Sequence, residues 1–237
     1  MHSKLLSIFA GLSVLSLAQA RPGSALASRD TPNSLWCGYV KNAAVKQVSA
    51  VWTVPDVSLP SPNSHGDYEI FQWVGIDGAS PSSCGNVLLQ GGTSQVFNNG
   101  RYVTDFWYEF YNPNQTPSLH VAYPPLKIGD QVRVTVTATS ANDGNIFFEN
   151  LTTGVSDTQY VHSDMPLCFE HVEWVAEAPT QRLPNFATFD FTQVSAVTGD
   201  GTSINAAGSE LWYLNGAAAK CSASMGNGGS SIRVFQQ

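Results

Sequence analysis

Three short stretches carry the side chains that could do chemistry. His171–Pro179, "HVEWVAEAP", sets Glu173 and Glu177 four residues apart around Trp174. Tyr102–Tyr111, "YVTDFWYEFY", repeats the pattern with Asp105 and Glu109 around Trp107. Tyr68–Asp77, "YEIFQWVGID", adds Glu69 and Asp77 around Trp73. A carboxyl near its ordinary pKa of ~4.3 can both take and give a proton in the acid range, which is what general acid–base hydrolysis needs. The sequence signatures of other hydrolases are missing, although five histidines leave a His-based triad open. There is no Asp-Thr/Ser-Gly pair, no Gly-x-Ser-x-Gly elbow and no His-Glu-x-x-His zinc helix. If the protein is an enzyme, carboxylates and amides carry the reaction, without metal or cofactor.

Strand parity sorts these side chains, because alternate residues of a strand share a face. Asp105, Trp107, Glu109 and Tyr111 project one way, and Phe106, Tyr108 and Phe110 the other. Glu69, Phe71, Trp73 and Asp77 oppose Ile70, Val74 and Ile76. Glu173, Val175 and Glu177 oppose Val172, Trp174 and Ala176. Three strands thus offer a face of acids and aromatics backed by an apolar one. In a chain with few acids, large aromatics set among them suit the wall of a peptide or sugar groove better than open solvent. Parity does not choose between Glu173 and Glu177.

The elements that must hold this face are strands. Segments rich in Val, Thr, Phe, Tyr and Trp recur at 48–55, 68–77, 102–111, 130–140, 145–153, 171–177 and 186–194, separated by Gly, Pro, Asn, Asp and Ser. Helical periodicity is nearly absent, so the spacing predicts an all-β antiparallel sandwich. The chain has 237 residues. Residues 1–20 read as a secretory signal, with one Lys, an apolar run and Ala18-Gln19-Ala20. Residues 21–34 read as a short pro-segment or disordered arm, and 35–237 as one domain.

Export favours two disulfides among Cys37, Cys84, Cys168 and Cys221. It also opens the sequons at Asn114 and Asn150 to glycosylation. Charged residues are 12% of the chain, about half the usual ~25%. A net charge of -7 argues against nucleic acid or an anionic membrane as partner. With few bases, little positive self-repulsion builds up when the carboxylates are neutralised, which fits a protein tolerant of low pH. A monomer is the expectation.

The ordered blocks "WVGIDG" (73–78), "LLQGG" (88–92), "TDFWYEFY" (104–111), "VTATS" (136–140), "ENLTTG" (149–154) and "VEWVAE" (172–177) resemble the fungal glutamic peptidases, or eqolisins, over roughly residues 35–195. The resemblance implies a sandwich of two large sheets, concanavalin A-like or jelly-roll, and polypeptide substrates. It implies a catalytic pair of Gln90 and Glu177, with Trp73, Asp77, Asp105, Trp107, Glu109 and Tyr111 as cleft wall and supporting network. It also implies a Cys84–Cys168 bridge, leaving Cys37–Cys221 as the second. Gly91 stands where the family commonly has Thr, which would loosen the backbone beside Gln90. Ser94 stands where some members place an Asp.

In this reading Glu177 activates water and returns the proton to the leaving amine, while the Gln90 amide binds the oxyanion. Two other readings remain open on the residues alone. A jelly-roll glycosidase would use Glu109 and Glu177 as its two carboxylates. A lectin-like module would bind sugar without catalysis. Gln90 separates the first alternative from a peptidase, since two-carboxylate chemistry has no need of it.

Overall fold

A computed structural model describes residues 30–83, 85–98, 100–114, 118–121 and 123–237. The expected signal segment and most of the expected arm lie outside the described residues. The strands follow the chain as β1 (Thr31–Asn33), β2 (Trp36–Asn42), β3 (Val45–Thr53), β4 (Val57–Ser58), β5 (Tyr68–Asp77) and β6 (Leu88–Asn98). Next come β7 (Arg101–Tyr111), β8 (Leu119–Val121), β9 (Gln131–Ala138), β10 (Asp143–Asn150), β11 (Val155–His162) and β12 (His171–Glu177). β13 (Asn185–Phe186), β14 (Phe189–Thr198), β15 (Ser203–Ile204), β16 (Glu210–Asn215), β17 (Lys220–Gly226) and β18 (Ser231–Gln236) complete the set.

One ladder runs β11-β10-β9-β3-β14-β18-β17-β16-β2-β12-β5-β6-β7-β8. It folds back on itself at the β14–β18 pairing, so that β3 and β9 pack on β5 and β6. The result is the expected all-β sandwich of two large antiparallel layers. The apolar parity sets meet between the layers. Ile70, Val74, Ile76, Phe106, Phe110, Val172 and Trp174 join Val132, Val134, Val136, Ile146 and Phe148 in one buried cluster. Polar side chains that enter this interior are paired. Trp52 Nε1 donates to Thr93 Oγ1, Thr93 Oγ1 to Gln72 Oε1, and Gln72 Nε2 to Gln95 Oε1. Leaving such groups unpaired would cost about 1–3 kcal/mol each.

β6 is the central strand that the segment list lacks, because Gly91-Gly92 imitates a turn. Packing explains both glycines. A Cβ on Gly92 would sit 1.8 Å from the Gln72 carbonyl oxygen, and one on Gly91 would sit 2.6 Å from Ile146 Cγ2. Gly91 is paired with Val74 on one side and Tyr108 on the other. The expected loosening beside Gln90 is therefore replaced by a tightly held strand.

Two further expectations change. Residues 31–34 belong to the domain, because β1 pairs in parallel with β16 and Asn33 Oδ1 caps the amides of Leu35 and Trp36. Asn150 is buried, and its amide donates to Pro125 O and Asp130 Oδ2 while accepting from the amides of Thr152 and Thr153. That side chain is closed to a glycan in the folded protein. Part of the other sequon, Gln115 and Thr116, lies outside the described residues. The Cys37–Cys221 disulfide is present and ties β2 to β17. The expected Cys84–Cys168 bridge involves Cys84, which is outside the described residues. Among the described residues no helix is long and apolar enough to cross a membrane.

Candidate active site

The acid-and-aromatic face is the outer face of the layer β16-β2-β12-β5-β6-β7-β8. A cleft of about 670 Å³ opens on it, and Gln90, Glu109, Tyr111 and Glu177 all line it. β6 presents Gln90 because its core-facing neighbours Leu89 and Gly91 alternate with it. Gln90 is 5% exposed, and its Nε2 donates to Glu109 Oε2 at 2.9 Å. The second Nε2 hydrogen is not used by that bond. Gln90 Oε1 has no protein donor.

Glu177 closes β12. Its Oε2 accepts from Trp73 Nε1 at 2.9 Å. Burial pushes its carboxyl up to about 7, against the hydrogen bonds from Trp73 and Trp36, and the nearby charges of Glu109 and Glu69 push the same way. This corrects the expectation of a carboxyl near its ordinary value. Burial also raises Glu109, opposed by the Gln90 amide. The cleft thus holds two proton-retaining acids, with an amide bonded to one and an indole bonded to the other.

The remaining expected residues stand elsewhere. Trp73 is buried behind Glu177 and positions it rather than lining the cleft. Trp107 is buried too, donating to Thr93 O and packing on Phe71 at 5.0 Å. Asp105 lies further along β7 beside His120, at 3.9 Å, and burial raises its pKa against the His120 charge. Asp77 is not open to a substrate. It is fully buried in a left-handed conformation (φ 69). Its two oxygens accept from the backbone amides of Cys168, Phe169, Glu170 and His171 at 2.7–3.2 Å. Its work is to tie the end of β5 to the entry of β12.

Two cleft aromatics lie outside the acid-bearing strands that the sequence singles out. Trp36 and Trp212 line the cleft and stack on each other at 5.5 Å, and Trp36 meets Trp73 edge-on at 5.0 Å. The alternation of Trp36, Gly38 and Val40 against Cys37 and Tyr39 was the available signal, hidden by the polar arm before it. Among the described residues no group of three His, Cys, Asp or Glu side chains is placed to hold a metal ion.

The sequence profile of the Peptidase A4 family matches residues 34–234. The chain belongs to the Peptidase A4 family. It is 32% identical over 195 residues to aspergillopepsin-2 of Aspergillus niger, covering 72% of this chain and 66% of that protein. It is 33% identical over 196 residues to scytalidopepsin B of Scytalidium lignicola, covering 76% and 69%. The chain therefore spans about two thirds of the length of these curated relatives. Among solved structures, scytalido-glutamic peptidase with a transition state analog inhibitor superposes with a TM-score of 0.71 at 24% identity, covering 86% of this chain and 98% of that one. Aspergilloglutamic peptidase from Aspergillus niger superposes with a TM-score of 0.60 at 29% identity, covering 72% and 99%.

Proposed function

We propose that this A4-family protein is an exported acid endopeptidase in which Glu177 and Gln90 carry the reaction. The observation that supports it most is that a proton-holding Glu177 and a half-satisfied Gln90 amide open into one cleft of a chain whose relatives are peptidases. Gln90 has one Nε2 hydrogen left for the scissile carbonyl oxygen, while its Oε1 is buried without a protein donor. A donor aimed at the carbonyl oxygen stabilises the partial charge it carries as the Glu177 proton arrives.

With its pKa raised to about 7, Glu177 enters the acid range protonated, so its first act is to give a proton. The carboxyl proton passes to the carbonyl oxygen as the water oxygen bonds to carbon, and a water proton returns to the carboxylate. This leaves a neutral tetrahedral diol and a protonated Glu177. In the second half Glu177 gives that proton to the amide nitrogen and the C–N bond breaks. One diol hydroxyl then returns its proton, leaving a carboxylic acid and an amine. No charged intermediate has to be held in the partly desolvated cleft. The role assigned to Glu177 thus moves from base-first to acid-first.

Incubation of the purified protein with denatured casein and with xylan near pH 3, with pepstatin present, tests the proposal. Casein cleavage that is absent from a Glu177→Gln sample supports it. Sugar release without proteolysis would transfer the cleft to a glycosidase, and inactivity on both polymers would leave a binding module.

A further inference from the structure

The other acid of "HVEWVAE", Glu173, has no part in this chemistry and is poorly accommodated where it lies. It is fully buried, and neither carboxyl oxygen has a hydrogen-bond partner. Its strand places it between Val40 on β2 and Gly75 on β5. Val40 packs with Ala79 and Trp212 in an apolar cluster flanked by Trp36. Two of that cluster's rings, Trp36 and Trp212, are the wall of the cleft.

The surroundings give the Glu173 carboxyl no hydrogen bond. Along β12, His171 lies two residues away with its Nδ1 unpartnered, and Glu177 lies four residues away. From β5 come Gly75, the neutral Trp73 and the Asp77 carboxyl, whose charge opposes ionisation of Glu173. From β6, across Gly75, comes the neutral Gln90. From β2 come Gly38 and Val40, while Lys41 alternates to the opposite face and donates to Ala207 O. Beyond Val40 stands another acid, Glu210, bonded to Thr31. A carboxylate enclosed this way is far costlier than a carboxylic acid.

We propose that Glu173 is a proton lock: the cleft-bearing layer folds only with this side chain neutral, so that loss of its proton to neutral solution dismantles the layer and switches the protein off outside acid conditions. The proposal is independent of the peptidase reading, because its test reads folding. Burial and the neighbouring Asp77 hold the Glu173 pKa well above the ordinary carboxylate value. The sign of the linkage follows. Stability from the buried proton is complete below the unfolded-state value of about 4.3, and is lost as pH rises from there towards the folded value.

The experiment is equilibrium urea unfolding between about pH 3.5 and 7.5 on the wild type and on Glu173→Gln and Glu173→Leu. Below about pH 4 the ratio of wild-type to variant folding constants should be flat. Above it, each variant should gain on the wild type by about tenfold per pH unit, the effect of one proton held only by the folded chain. Peptidase activity surviving incubation at neutral pH should rise in step. A ratio that stays flat across the whole range would overturn the proposal. Should neither variant fold, infrared spectra of a protein carrying Glu109→Gln and Glu177→Gln decide the matter, followed as pH rises through its unfolding. A protonated-carboxyl band that persists above the ordinary carboxylate range and vanishes only with the fold supports the lock, and a band lost while the fold persists overturns it.

Discussion

Trp73→Phe tests the acid-first role of Glu177 in a way that simple loss of activity does not. The substitution keeps an aromatic ring at a fully buried position but removes the Nε1–H that donates to Glu177 Oε2 at 2.9 Å. That bond favours the charged carboxylate, so losing it raises the pKa further. A hydrogen bond to a charged group is worth about 1.5–3 kcal/mol, or roughly 1–2 pH units at full burial. Glu177 keeps some exposure to the cleft, and solvent screening favours the lower end. The expected change is about one unit, from about 7 to roughly 8.

The assay is kcat/KM for a quenched fluorescent peptide from acid to mildly alkaline pH, with Glu173→Gln in every protein compared so that the layer stays folded above neutral pH. If the protonated form of Glu177 is the active one, the wild-type profile falls through about pH 7 and the Trp73→Phe profile falls about one unit higher. Rates at low pH should remain within a few-fold. Trp107→Phe is the control, since its indole donates to Thr93 O instead of a carboxylate, and it should leave the limb in place. An activity that rises through pH 7 in the wild type would refute the acid-first order. So would a limb that ignores Trp73.

Glu109→Gln should move the same limb downward, because it removes a neighbouring charge that raises Glu177, and the opposite direction from Trp73→Phe is the check. Asp77→Asn should lower stability by about 2–3 kcal/mol in urea, as one oxygen can no longer accept from its share of four amides. KM should hardly change, since Asp77 faces no substrate. Cys37→Ser opens a loop whose ends are 184 residues apart and should cost about 4–5 kcal/mol of unfolding free energy.

Where the sequence was legible, one rule of geometry carried it. The parity sets of β5, β7 and β12 each placed their apolar half in the shared core, as alternation requires. The same rule failed where packing rather than pattern fixes the residue. Gly91 and Gly92 look like a turn until the approach of Gln72 and Ile146 is seen. Parity also gives a face but no depth. Asp77, Trp73, Trp107 and Glu173 share a face with Glu177, yet all four are sealed beneath it by neighbours from other strands. The wall formed by Trp36 and Trp212 joins residues far apart in the chain, and no local pattern links them. Nor could spacing show that burial lifts Glu177 to about 7.

The most direct measurement of the central claim is kcat/KM for peptide hydrolysis by Glu177→Gln, taken near pH 4 on protein shown to be folded by circular dichroism. Loss of the one group that gives and retrieves the proton should lower it by at least ~10²-fold. A folded Glu177→Gln protein that cleaves within tenfold of the wild type would contradict the assignment of Glu177 and the mechanism built on it.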